Sequence, residues 1–71
     1  MFQKQRAMRA RRAALRQAKT ELDSLYEELM HANAVFDRIS EPGELDACIF
    51  EISALFARYD AAHRRWKQRI D

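Results

Sequence analysis

Two carboxylate–histidine pairs at helical spacing, Glu28 with His31 and Asp60 with His63, are the nearest thing in this chain to a metal motif. In helical bundles a repeated Glu-x-x-His pattern puts its ligands on one face, and two such pairs can hold a dinuclear centre. If the chain folds back near its middle, His63 comes opposite Ala18. His31 then lies thirteen residues further along the first helix, about 20 Å away at 1.5 Å per residue. The pairs meet only across a dimer, and no surplus of inward-facing Glu accompanies them. His63 therefore reads as a packed histidine near the open end of the fold and His31 as an exposed one, with no metal ligand assigned. Cys48 stands near Glu44 and Asp46 at a helix start. The helix dipole lowers a thiol pKa there and the carboxylates raise it, so no activated nucleophile follows. No Ser/His/Asp grouping or Gly-rich phosphate loop is present. The expectation is a non-enzyme without catalytic residues, cofactor or small-molecule substrate.

Arginine supplies the one strong chemical signal. Arg6, Arg9, Arg12 and Arg16 recur at spacings of three and four and make one helical stripe. Arg65 and Arg69, beside Trp66, are expected to approach that stripe from the other end of the chain. Arginine forks bind phosphate bidentately, and such a cluster attracts nucleic acid in a salt-dependent way. No base-reading element accompanies them, so this binding would be weakly sequence-specific.

The arginines belong to a larger sorting of charge that the formal net of +2 conceals. Residues 1–19 contain Lys4, Arg6, Arg9, Arg11, Arg12, Arg16 and Lys19 and no acid. Residues 20–57 set Glu21, Asp23, Glu27, Glu28, Asp37, Glu41, Glu44, Asp46 and Glu51 against Arg38 alone. Residues 58–71 turn basic again, with Arg58, Arg64, Arg65, Lys67 and Arg69 against Asp60 and Asp71.

The elements that position these groups follow from composition and period. A chain of 71 residues makes one small domain. Its single Gly and single Pro are adjacent at Pro42-Gly43, amid abundant Ala, Leu, Arg and Glu, which predicts an all-α chain broken once. Apolar residues alternate at three and four along Leu15, Ala18, Leu22, Leu25, Leu29, Ala32, Phe36 and Ile39. A second stripe runs Leu45, Ile49, Ile52, Phe56, Tyr59, His63, Trp66 and Ile70. These are heptad registers. Laid antiparallel, they interlock as Leu15 with Trp66, Ala18 with His63, Leu22 with Tyr59, Leu25 with Phe56, Leu29 with Ile52, Ala32 with Ile49 and Phe36 with Leu45. The prediction is a coiled-coil-like two-helix hairpin, with helix 1 at about 4–39, a turn at 40–43 and helix 2 at about 42–70. Ile70 falls opposite Arg11, so residues 1–10 overhang.

Apolar residues remain outside that seam. Val35, Cys48, Leu55 and Ala62 read as one flank, and Tyr26, Met30 and Phe50 as the other. Such flanks favour another helix layer, most simply a homodimer forming a four-helix bundle. No signal peptide is read at the N-terminus, and no apolar run reaches the ~20 residues needed to span a bilayer. One cysteine fits a reducing, cytoplasmic setting. Membrane-surface binding is not expected, because the basic N-terminal stretch has a thin apolar face.

Pro42, Leu45-Asp46, Ile49-Phe50-Glu51-Ile52, Ala54 and Arg58-Tyr59 resemble the central motif of the YaaL-like family, short bacterial proteins of unknown function. The resemblance spans roughly residues 18–67. It implies a small cytoplasmic bacterial protein and supplies no catalytic residue. Glu41 stands where the family tends to have Asp, a better helix cap, and Glu44 where an aliphatic residue is usual, so helix 2 is expected to start weakly. Glu51 and Arg58 of the motif fall outside the seam. The leading expectation is an interaction module that self-associates and docks on a protein partner. The alternative is an accessory protein that binds nucleic acid through its Arg-rich end.

Overall fold

The computed structural model describes residues 2–70, which form two α-helices and no strand: α1 over Phe2–Phe36 and α2 over Pro42–Ile70. Met1, counted in the expected overhang, and Asp71, counted in the C-terminal charge, lie outside the described residues. α1 contains no Gly or Pro and is rich in Ala, Arg, Gln, Glu and Leu, all favourable to helix.

α1 stops at Phe36, three residues before the expected Ile39. The Asn33 side-chain amide donates to the Leu29 carbonyl at 3.1 Å and competes with the backbone for that acceptor. Beyond it the bonding tightens. Asp37 N–H still reaches back four residues to Asn33 O, but Arg38 and Ile39 reach back only three, to Val35 O and Phe36 O. Tightening of this kind ends helices, and the connector is therefore 37–41 rather than 40–43.

The start of α2 is well capped, contrary to the expectation drawn from Glu41. Its carboxylate accepts the N–H groups of Gly43 (3.0 Å) and Glu44 (2.8 Å), one on each oxygen. Its carbonyl accepts Leu45 N–H at 3.0 Å, the first regular bond of the helix. Pro42 sits in the first turn, where its missing N–H costs nothing. Gly43 leaves room for the capping side chain: a Cβ there would lie 3.3 Å from both Glu41 carboxylate oxygens.

The helices pack antiparallel, and α1 presents the expected stripe. Ala18, Leu22 and Ala32 are buried, and Leu15, Leu25, Leu29 and Phe36 are half-buried. On α2 five of the eight expected positions hold, since Leu45, Ile52, Tyr59, His63 and Trp66 are half-buried. The rest is corrected. Leu55 and Ala62, expected on a flank, are buried, with Ala62 at 0% exposure, and Cys48 is half-buried beside them. Ile49, Phe56 and Ile70, expected in the seam, are 49%, 60% and 49% exposed.

Turning α2 in this way puts small or compact side chains between the helices and lets their backbones approach. Partners shift accordingly. Tyr59, expected against Leu22, meets Tyr26 with ring centroids 6.2 Å apart. Trp66, expected against Leu15, lies under Lys19 Nζ at 5.4 Å. Both partners are one helical turn further along α1, which the longer connector permits.

The resulting rod measures 62 × 15 × 13 Å. Arg11 and Ala14 border the same groove as Gln68, Arg69 and Ile70, so α2 runs out beside them and the preceding residues of α1 project alone. Every residue from 2 to 13 is exposed.

Two substitutions test this packing. Ala62→Leu should destabilise by about 1–3 kcal/mol through overpacking, whereas Ala57→Leu, on an exposed position, should stay within about 0.5 kcal/mol. Equal midpoints in urea for these variants would contradict the rotated seam. Glu41→Ala should cost about 1 kcal/mol, the usual value of a lost N-cap, measured by the same titration.

Candidate functional site

The hairpin has two unlike flanks and a projecting end. One flank is polar. Arg65 of α2 donates to Glu21 of α1 in an ion pair that crosses the hairpin. Further toward the connector, Glu28, His31, Val35, Cys48, Glu51 and Arg58 border an open groove over Ala32 and Leu55. Val35 and Cys48 therefore line a shallow groove, while Leu55 and Ala62, proposed with them as oligomer contacts, are enclosed by the hairpin's own two helices. Glu51 and Arg58 lie on this exposed flank.

The two carboxylate–histidine pairs separate. Glu28 and His31 face the polar groove. Asp60 accepts a hydrogen bond from Arg64 one turn along, and His63 lies in an aromatic row elsewhere. Among the described residues no three His, Cys, Asp or Glu side chains gather as a metal ion requires.

The second flank is aromatic and apolar. Tyr26 packs on Tyr59, Tyr59 stacks on His63 (6.3 Å, 22°), and His63 meets Trp66 (6.0 Å). Lys19 caps the row over the Trp66 ring while pairing with Asp23 at 3.1 Å. Ile49, Phe56 and His63 recur every seven residues on α2 and so form one stripe along this side. Tyr26 and Met30, one turn apart on α1, are 52% and 54% exposed and flank it. Phe50, read from the sequence as their companion, is not. It lies five residues from both Leu45 and Leu55, about 140° around α2 from the seam at 100° per residue. It points away from α1 and is 75% exposed.

At the projecting end the seam stripe continues toward the N-terminus through Arg11, Met8 and Lys4 in place of Leu and Ala. Two cations in three positions end the apolar stripe where α2 ends. On the opposite side of α1, Arg6, Arg9, Arg12 and Arg16 span an arc of about 120° centred away from α2, from their 100° spacing. Arg65 and Arg69 do not join them. The α1 residues bordering the groove beside those two are Ala14, Gln17, Ala18 and Glu21. The six expected polyanion contacts thus divide into a row of four on the face of α1 turned away from α2, of which Arg6 and Arg9 lie beyond its end, and a pair on the hairpin's polar flank.

Several of these features had no clear sequence signal. Lys19 over Trp66 and Glu21 with Arg65 depend on the rotation of α2, and the Glu41 cap depends on a rotamer. Lys4 and Arg11 were legible as the continuation of the heptad stripe.

The Glu21–Arg65 pair is about half exposed on both sides. Exposed pairs contribute about 0.2–1 kcal/mol and are screened by salt. Arg65→Gln should therefore lower stability by no more than about 1 kcal/mol at low salt, with the difference vanishing near 1 M salt. A larger, salt-independent loss in thermal unfolding would show that the pair does more than this.

Comparison with known protein families, characterised proteins and solved structures yields no match for this chain.

Proposed function

We propose that this chain is a non-enzymatic helical interaction module that self-associates side by side into a dimeric four-helix bundle and, as an assembled rod, docks on a protein partner. The observation that carries this reading is the exposed stripe of Ile49 and Phe56 beside Tyr26 and Met30, continuous with the half-buried Ile52, Tyr59 and His63. Two helices bury one stripe of α2 and leave its neighbour uncovered; a second copy covers it.

Charge selects the orientation. The basic and acidic blocks sit at opposite ends of the rod, so an antiparallel pair sets unlike ends together and a parallel pair sets like ends together. Cys48 as the lone thiol and the YaaL-like motif support a place in the reducing bacterial cytoplasm. No helix among the described residues is long and apolar enough to cross a membrane.

Sedimentation equilibrium tests the reading. The parent chain should be a dimer at high micromolar concentration. Phe56→Glu and Ile49→Glu should each give a helical monomer, and Phe50→Glu should leave the dimer intact. A parent chain that stays monomeric, or a Phe56→Glu variant that remains dimeric, would sink this interface.

A further inference from the structure

The projecting segment of α1 has a second use, independent of how the rods associate. We infer that residues 2–16 form a phosphate-binding arm that grips the backbone of double-stranded nucleic acid without reading its sequence.

Residues 2–10 of the arm are helix with nothing opposite them, and residues 11–16 run beside the last turns of α2 with Arg12 and Arg16 on the face of α1 turned away from it. All of residues 2–13 are exposed, and α2 ends beside Arg11 and Ala14. Lys4, Arg6, Arg9, Arg11, Arg12 and Arg16 lie within it, with no acid before Glu21. The ion pairs among the described residues join Lys19 to Asp23, Arg64 to Asp60 and Arg65 to Glu21, all outside the arm. α1 also has no acid in its first turn, where Lys4 stands, so that cation meets the positive end of its own helix dipole, where it destabilises. An external polyanion relieves both the mutual repulsion and the dipole conflict.

Geometry favours a duplex. Arg6, Arg9, Arg12 and Arg16 cover about 15 Å of helix axis. Over that length one strand of B-DNA presents about four phosphates at 3.4 Å each. The part of α1 before Arg11, a single helix, is also of the width that the ~12 Å major groove admits. Lipid fits less well. Phe2 and Met8, the arm's large apolar side chains, are 80% and 53% exposed but six residues apart. They point about 120° from each other and make no membrane-facing stripe.

Fluorescence anisotropy of a labelled random-sequence DNA duplex, titrated with the full chain, tests this. Four phosphate contacts predict a slope of log K against log salt near −3.6, or about a 150-fold loss of affinity from 50 to 200 mM salt. The Arg6, Arg9, Arg12, Arg16→Glu variant should lose binding. The matching Arg→Gln variant should weaken it at least tenfold. Arg64→Gln, on a residue paired within α2, should stay within twofold. Circular dichroism guards the interpretation: Glu and Gln have helix propensities close to that of Arg, so both variants should keep the helicity of the parent.

The inference is overturned by no duplex binding at 50 mM salt, by a slope shallower than about −1, or by binding that survives the Glu changes. Two further outcomes also overturn it. One is tighter binding to phosphatidylglycerol vesicles than to the duplex. The other is a parent that ignores the duplex while the Glu variant loses self-association, which assigns the arm to the acidic end of a second copy. A monomeric parent that still binds the duplex with the expected slope removes the proposed dimer and leaves the arm standing.

Discussion

Close approach of α1 and α2 is the constraint on which the rest of this molecule depends. Ala18 and Ala32 on one helix and Ala62 on the other are buried, and Leu22 and Leu55 fill the space they leave. Helices separated by alanine can share only a narrow strip, because a larger side chain at any of these positions would push the axes apart. A narrow seam uses little of the apolar surface that α2 carries. The exposed aromatic flank is therefore a consequence of the tight seam rather than a separate feature.

The same constraint assigns different work to the two sides of the rod. On one side the gap between the helices is crossed by polar groups, with Arg65 reaching Glu21 and Glu28, Glu51 and Arg58 around an open groove. On the other it is bridged by rings, from Tyr26 through Tyr59 and His63 to Trp66. Both bridges are partly exposed and each is modest in energy, as exposed ion pairs and ring contacts are. They orient α2 about its axis more than they hold it. Without such side-specific contacts, the two neighbouring apolar stripes of α2 would compete for the same seam.

That competition explains how far the fold could be read from sequence. Helix number, the break at Pro42-Gly43 and the seam face of α1 were legible because a single uninterrupted stripe allows one answer. α2 allowed two. Leu45, Ile52, Tyr59 and Trp66 serve either register, and the choice lay between Ile49 with Phe56 and Cys48 with Leu55 and Ala62. Judging by size and hydrophobicity selects the former; matching volume against Ala18 and Ala32 selects the latter, and packing density decides. The end of α1 was misread for a local reason. Asn33 and the shortened bonds to Val35 and Phe36 leave no mark on an apolar pattern that runs on to Ile39. The arginine row was legible as a row, but its distance from Arg65 and Arg69 depends on the rotation of α2.

α1 changes character within one heptad. From Leu15 onward its seam positions are apolar and α2 covers them; toward the N-terminus Arg11, beside the last residues of α2, and Lys4 hold the equivalent places. A cation on a seam position cannot be covered by a facing helix without a costly desolvation, so Arg11 sets the usable length of the hairpin as firmly as Pro42 sets its turn. The two ends of α2 fit this division. Glu44 stands in its first turn and Lys67 and Arg69 in its last, each complementing the helix dipole, whereas α1 has no acid in its first turn and no base in its last. α2 is thus a helix whose charges suit its own stability. α1 crowds cations toward its N-terminal end, where Lys4 in the first turn opposes the helix dipole. Folding of the hairpin gives no physical reason for that placement.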